Sequence, residues 1–189
     1  MTIRFKWLYV GATITALLQT GVLYAGIGKR ASVLRSGTEV TLQTEPFDPR
    51  DLMRGDYVVL GYEISSLSRK DIQGERPAGS RTVYVAVKPD SNGIARFSRA
   101  SFHPFSELAS GEVQIRGEAV YSISDDPQSN IRLNFGIERY YVPEGQGRAI
   151  EDSQRERRIT AVVAVDPKGM PVIKALQEDG RQLYQEPLY

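Results

Sequence analysis

The chain contains no cysteine, which removes disulfides, thiol nucleophiles, lipoprotein attachment and cysteine metal sites together. The redox compartment stays undecided, because a cysteine-free chain tolerates either. Histidine is nearly as scarce. His103, in Phe102-His103-Pro104-Phe105, is the only one, so no usual zinc set can be assembled and no orienting partners for a catalytic role are visible. A packed or rim histidine is the favoured reading. An excess of basic charge is missing too: the formal charge is +1, but the first thirty residues hold four of the 24 bases and none of the 23 acids, which leaves −3 for the remainder. Nucleic acid is therefore not an expected partner. No repeat at a fixed period is visible, and 189 residues suit one ordinary domain with an appendage. No cofactor or metal is expected.

Charge is also absent from Trp7 to Ile27, a run of 21 residues that includes Leu8, Val10, Ile14, Leu17, Leu18, Val22 and Leu23. As a helix this run covers about 30 Å, enough to cross a bilayer. Thr13, Thr15, Gln19 and Thr20 dilute its hydrophobicity, but hydroxyls bond back to helix carbonyls. Trp7, Tyr9 and Tyr24 lie near the ends, where amphipathic rings prefer the interface. A cleaved signal peptide is the competing reading, with Gly26-x-Gly28 as its cleavage site. The run is longer than the apolar region of such a peptide and lacks a clear Ala-x-Ala, so a transmembrane anchor is preferred. Arg4 and Lys6 on one side are balanced by Lys29, Arg30 and Arg35 on the other, and the short amino-terminal tail favours that end inside. The expected organisation is an anchor over 1–30, a linker or helix end over 31–37, and a β domain over 38–189.

Beyond the anchor, Thr38 to Gln43 alternates with Val40 and Leu42 on one face, and the prolines of Glu45-Pro46-Phe47-Asp48-Pro49 stop that strand. Gly55-Asp56 then opens Tyr57-Val58-Val59-Leu60-Gly61-Tyr62, which reads as strand. With a period of two, Asp56, Val58, Leu60, Tyr62 and Ile64 face the core, and Tyr57, Val59, Gly61 and Glu63 face away. Asp56 is the exception on the inner face and needs donors, most simply the N–H groups of the turn it closes. Ser65 to Ser80 reads as a mobile loop. Thr82 to Lys88 and Ile94 to Arg99 form a hairpin about Pro89–Gly93, and the strands through Val113–Tyr121 and Ile131–Ile137 should pair antiparallel. Arg148 to Arg158 is the soluble helix candidate, anchored by Ile150 and Ala149, and Ile159–Val165 with Val172–Leu176 makes a last hairpin. About eight short strands with turns between them predict an all-β fold, a small antiparallel barrel or sandwich with one short helix.

The fixed positions Gly55, Asp56, Tyr57, Leu60 and Tyr62 resemble those of the GDYXXLXY family of bacterial membrane-anchored proteins. Asp48-Pro49-Arg50-Asp51-Leu52, Gly136-Ile137-Glu138-Arg139-Tyr140 and Val142-Pro143-Glu144-Gly145 are further matches. The resemblance implies an architecture and no catalytic residues: a single helix in the bacterial inner (cytoplasmic) membrane, with the domain on the periplasmic or extracytoplasmic side. It also implies a polytopic membrane protein as partner. The expected interaction surface is Gly55, Asp56, Tyr57, Leu60, Tyr62, Glu138, Arg139, Tyr141 and Glu144.

The alternative is a membrane-anchored hydrolase acting on an envelope substrate, with a site near Lys88, Asp56 or Glu144. Anchor, Pro49, Leu52, Gly55-Asp56, strand and then Lys88 is an order similar to the lead-in of signal peptidases that use a Ser/Lys pair. That match fails where the nucleophile should stand, which is Phe47. Arg54-Gly55-Asp56 spells an adhesion tripeptide, but a strand-opening turn already explains it. Glu144-Gly145-Gln146-Gly147-Arg148 leads into a helix whose free N–H groups could hold an anion, although it lacks the lysine and spacing of a phosphate loop. Of Tyr57, Tyr62, Tyr140 and Tyr141, Tyr62 and one of the adjacent pair should pack in the core, while the others suit an interface.

Overall fold

A computed structural model describes residues 2–46, 57–124 and 126–187, with side chains from Tyr9 onward. Its first element, α1 (Thr2–Ser36), is one helix of 35 residues. At 1.5 Å per residue it is about 52 Å long, against about 30 Å for a hydrocarbon core. From Tyr9 onward it is long and apolar enough to cross a membrane. Leu17, Leu18, Val22 and Leu23 stand 65–68% exposed, so no part of the protein covers them. The expected back-bonds form, Thr13 Oγ1 donating to Tyr9 O at 2.9 Å and Thr15 Oγ1 to Gly11 O at 3.0 Å.

The helix does not stop where its apolar run stops. Residues 31–36 are its end and not a linker; Val33 and Leu34 are buried in a small cluster with Ala164 and Val172. Only Gly37 separates this helix from the first strand. Its N–H donates to Val33 O at 2.8 Å, and a Cβ at Gly37 would come within 2.6 Å of Val33 O and 3.0 Å of the Val165 backbone. Helix and sheet touch there through backbone, and a side chain does not fit.

Thirteen strands lie among the described residues. The first half of the chain supplies β1 (Thr38–Glu45), β2 (Tyr57–Val59), β3 (Gly61–Tyr62), β4 (Ser66–Ser68), β5 (Ile72–Gln73), β6 (Thr82–Pro89) and β7 (Ile94–Ser101). The second half adds β8 (Val113–Ala119), β9 (Asn130–Asn134), β10 (Arg139–Tyr141), β11 (Ile159–Val165), β12 (Pro171–Glu178) and β13 (Arg181–Gln185), with α2 (Gly147–Arg155) before β11. The large sheet runs β13-β12-β11-β1-β7-β6-β8-β9-β4, with β3 on the end of β1 and β5 on β7; β10 and β2 form a separate pair. The result is an open, sandwich-like β structure and not a closed barrel. One core, containing Val58, Leu60, Val83, Val85, Val87, Ile115, Ile159 and Leu176, fills it.

β1 holds the two hairpins together. It pairs antiparallel with β11 from Thr38↔Val165 to Gln43↔Thr160, and parallel with β7 at Thr41↔Ile94 and Leu42↔Ala95. The sheet is therefore not purely antiparallel, and β5 with β7 adds a second short parallel contact. The expected hairpins are present as β6–β7 and β11–β12. β8 and β9 pair at Glu118↔Asn134 and Ala119↔Leu133, while the other edge of β8 takes β6 along most of its length.

Two expectations require correction. The first part of the segment 65–80 is structured, since Leu67 and Ile72 are buried and anchor β4 on β9 and β5 on β7, and only 74–80 is without strand or helix. Isolated apolar residues in a polar run seldom signal strand. The helix α2 ends at Arg155, ahead of Arg157 at φ +58°. Ile150 anchors it as expected, but Ala149 is exposed and the second anchor is Gln154, 2% exposed, whose amide donates to Glu45 O at 2.6 Å.

Replacing Gly37 by valine should destabilise the protein by about 1–3 kcal/mol through overpacking. Melts of the detergent-solubilised chain check this, with Ser36→Ala as the neutral control. A second expectation concerns acid. The Ser98 hydroxyl, the Arg99 guanidinium and the Ala109 N–H hold the Glu112 carboxyl down to about 2 from its ordinary 4.5. A depressed folded value means that this stabilisation is complete above pH 4.5 and is lost as pH falls toward 2. The penalty of Glu112→Gln in denaturant melts should therefore be largest near neutrality and shrink across that window.

Candidate functional site

Gly55 and Asp56 lie outside the described residues, as do Asp48 to Leu52. From Tyr57 onward the alternation holds: Val58, Leu60, Tyr62 and Ile64 are at most 2% exposed, while Tyr57, Val59 and Gly61 are partly exposed and Glu63 is exposed. The strand is not continuous, however. Its first half, β2, pairs with β10 in the register Tyr57↔Tyr141, Val58↔Tyr140 and Val59↔Arg139. Its second half, β3, pairs instead with β1, at Gly61↔Glu45 and Tyr62↔Thr44.

Leu60 is the point of transfer. Its side chain is fully buried, and its N–H donates to Glu138 O at 2.9 Å. The change of partner brings backbones close at the next residue, where a Cβ on Gly61 would lie 3.0 Å from Glu45 O. Tyr62 then reaches back across the crossing, its hydroxyl donating to Ile137 O at 2.7 Å. Burial, with the Glu138 charge adding to it, pushes that hydroxyl well above its usual value of 10, so it remains a donor at any physiological pH.

The two sequence blocks, about eighty residues apart, are thus one assembly. Glu138 closes it from the other side: Oε1 accepts from Phe135 N at 2.5 Å and Oε2 from Gly136 N at 2.9 Å, with Gly136 at φ +79°. This carboxylate is occupied in holding a turn. Arg139 points the other way, its guanidinium 5.5 Å from the centre of the Tyr57 ring. Tyr57 and Tyr141 meet edge to face at 6.0 Å, and Tyr141 is 74% exposed. The outer face of β2 and β10 therefore presents two tyrosines and an arginine, while Tyr62 and Tyr140 are buried as expected for the inner pair. Glu144 is exposed in the turn between β10 and α2.

Beside this patch is a cleft of about 100 Å³ that reaches α1. Arg30 of α1, Arg139, Tyr140 and Tyr141 of β10, Ile173 of β12 and Glu186 line it, and neither Lys88 nor Glu144 does. Arg30 and Glu186 are 3.4 Å apart. Burial, then the Glu186 charge, pushes the Tyr140 hydroxyl up to about 12. Arg30 and Glu186 were not singled out by the sequence; 156 positions separate them, and no local pattern links the end of an anchor to the residue that follows the last strand. Elsewhere His103 sits at the rim, its Nε2 3.0 Å from Glu75 O. Lys88 is exposed at the end of β6. No cluster of three or more metal-binding side chains occurs among the described residues.

A family model described as GDYXXLXY protein matches residues 19–176, a stretch that includes both blocks and much of α1. No curated protein and no solved structure gives a match. Tyr62→Phe leaves the ring in place but strips Ile137 O of its donor. It should cost about 1–3 kcal/mol in equilibrium unfolding, as expected for a buried carbonyl left unpaired.

Proposed function

Because the chain belongs to the GDYXXLXY family, we propose that it is a single-pass protein of the bacterial inner membrane. Its extracytoplasmic β domain binds and positions a polytopic membrane protein and has no catalytic role of its own. The observation that carries this reading is the joint at Gly37. Val33 and Leu34 of α1 are packed on Ala164 and Val172, so the domain follows the helix as one body. A flexible tether would only concentrate the domain near the bilayer. A rigid one also sets the height and direction of whatever surface the domain carries.

The surface best suited to that task is the Tyr57–Tyr141–Arg139 patch. Tyrosine and arginine are enriched among the residues that carry binding energy in protein interfaces, tyrosine because its ring buries a large area with a polar tip and arginine because its planar fork is preorganised for hydrogen bonds. The patch is built on paired strands above a fully buried row of Val58 and Leu60, which keeps it in shape before any contact is made. It also adjoins the cleft that includes Arg30, so it lies on the side from which α1 leaves the domain.

Photocrosslinkers placed at positions 57 and 141 of the full-length chain in its native membrane should yield an adduct with a multi-span protein. One at Tyr121, which is equally exposed on another part of the surface, should not. Tyr57→Ala should reduce capture and leave the melting temperature unchanged, whereas Leu60→Ala should cost about 2–5 kcal/mol as a core truncation. Equal melting losses in the two variants, or equal adducts from all three positions, would refute the assignment.

A further inference from the structure

We infer that the cleft between α1 and β10 is a binding site for the headgroup of an anionic glycerophospholipid, with Arg30 and Arg139 taking the phosphate and Glu186 a headgroup hydroxyl. The inference rests on reading α1 as the membrane span. Its starting point is depth. The uncharged run ends at Ile27, so Arg30 stands about 4.5 Å further along the axis, at 1.5 Å per residue. Each headgroup layer is about 5–8 Å thick, the difference between the whole bilayer and its hydrocarbon core shared between two faces. Arg30 falls inside that layer, and a cleft lined by Arg30 opens into it.

The chemistry of the lining narrows the occupant. Two guanidinium groups are matched by one carboxylate, so the cleft keeps an excess positive charge. Arginine is suited to phosphate because its planar fork donates two parallel hydrogen bonds. The Arg139 guanidinium lies 5.5 Å from the centre of the Tyr57 ring, and Arg139 lines the same cleft as Arg30. Tyr140 holds its proton and is a further donor. Glu186, 19% exposed at its side chain, accepts but cannot donate; a polyol headgroup offers the hydroxyl it needs, whereas a bare phosphate would be repelled. Size agrees: about 100 Å³ is several times the roughly 10–15 Å³ that one water needs by the same measure, so the cleft admits a phosphate-sized group. The chains would remain in the bilayer beside α1, and exposed Tyr141 would lie at the depth where tyrosine is enriched.

A purely structural account makes Arg30–Glu186 a strut between helix and sheet, with Arg139 uninvolved. Arg139→Gln separates the two accounts, since Arg139 is exposed and outside that ion pair. The full-length chain in a non-ionic detergent is titrated with dihexanoyl phosphatidylglycerol, dihexanoyl phosphatidylcholine and inorganic phosphate, and binding is read from the shift in melting temperature. Phosphatidylglycerol should bind about tenfold or more tighter than phosphatidylcholine, because only its glycerol offers Glu186 a hydroxyl, a charge-assisted hydrogen bond worth about that factor. Arg139→Gln should weaken phosphatidylglycerol about tenfold or more, the loss of one charge-assisted hydrogen bond to the phosphate, while leaving the ligand-free melting temperature unchanged. Equal affinity for the two lipids, an undiminished phosphatidylglycerol affinity in Arg139→Gln, or inorganic phosphate binding as tightly as phosphatidylglycerol would each overturn the assignment. Alkaline extraction of native membranes tests the span by itself: release of the chain would sink the membrane reading, whereas loss of selectivity in detergent sinks only the cleft.

Discussion

The absence of room at Gly37 is the constraint from which the rest of the architecture follows. A helix that ends in solvent can swing, and a domain hung from it takes many orientations. Here the last helical carbonyls, the first strand and the end of β11 meet within a few ångströms, and Val33 and Leu34 close the gap against Ala164 and Val172. Because β1 begins at that point and pairs with β11 on one side and β7 on the other, the direction of the helix is transmitted to both hairpins. Lys174 and Glu39, paired across β12 and β1, reinforce the same region from the surface. Exposed ion pairs are worth little, so the apolar contacts and the backbone approach carry the joint.

The second organising feature is the change of partner at Leu60. A strand that leaves one neighbour for another exposes backbone groups at the crossing, and those groups need hydrogen bonds if they are buried. The Gly136–Tyr140 segment supplies two such bonds at the crossing: Glu138 O accepts from the Leu60 N–H, and the Ile137 carbonyl accepts from the Tyr62 hydroxyl. The residues of the two blocks thus divide into two kinds of work. Leu60, Gly61, Tyr62 and Glu138 hold the crossing together from within, and Tyr57, Arg139 and Tyr141 occupy its outer face. A surface carried on such a crossing has little freedom to rearrange, which suits recognition by a preformed patch.

Much of this was readable from the chain alone. The uncharged run from Trp7 to Ile27 is long enough to span a bilayer whatever follows it, and the period-two rows Val58-Leu60-Tyr62 and Val83-Val85-Val87 name their own buried face. Turn residues located the hairpins at Asp90–Gly93 and Asp166–Gly169, where the aspartate carboxylates accept from backbone N–H groups two and four residues on. Local signals of this kind depend only on near neighbours, so they survive without knowledge of the fold. The strands around Leu67 and Ile72 lacked such a signal, because a single buried side chain in a polar run has no period.

Composition, the apolar run and the alternating rows determined a membrane-length helix joined to a β domain, because each is a property of consecutive residues. Tertiary structure alone decided that α1 continues into the sheet without a linker and that the open sheet does not close. It alone decided that Tyr57 and Tyr141 share an outer face, and that Arg30 meets Glu186. Those outcomes depend on contacts between residues from 84 to 156 positions apart, and side chains that far apart leave no mark on each other in the order of the chain.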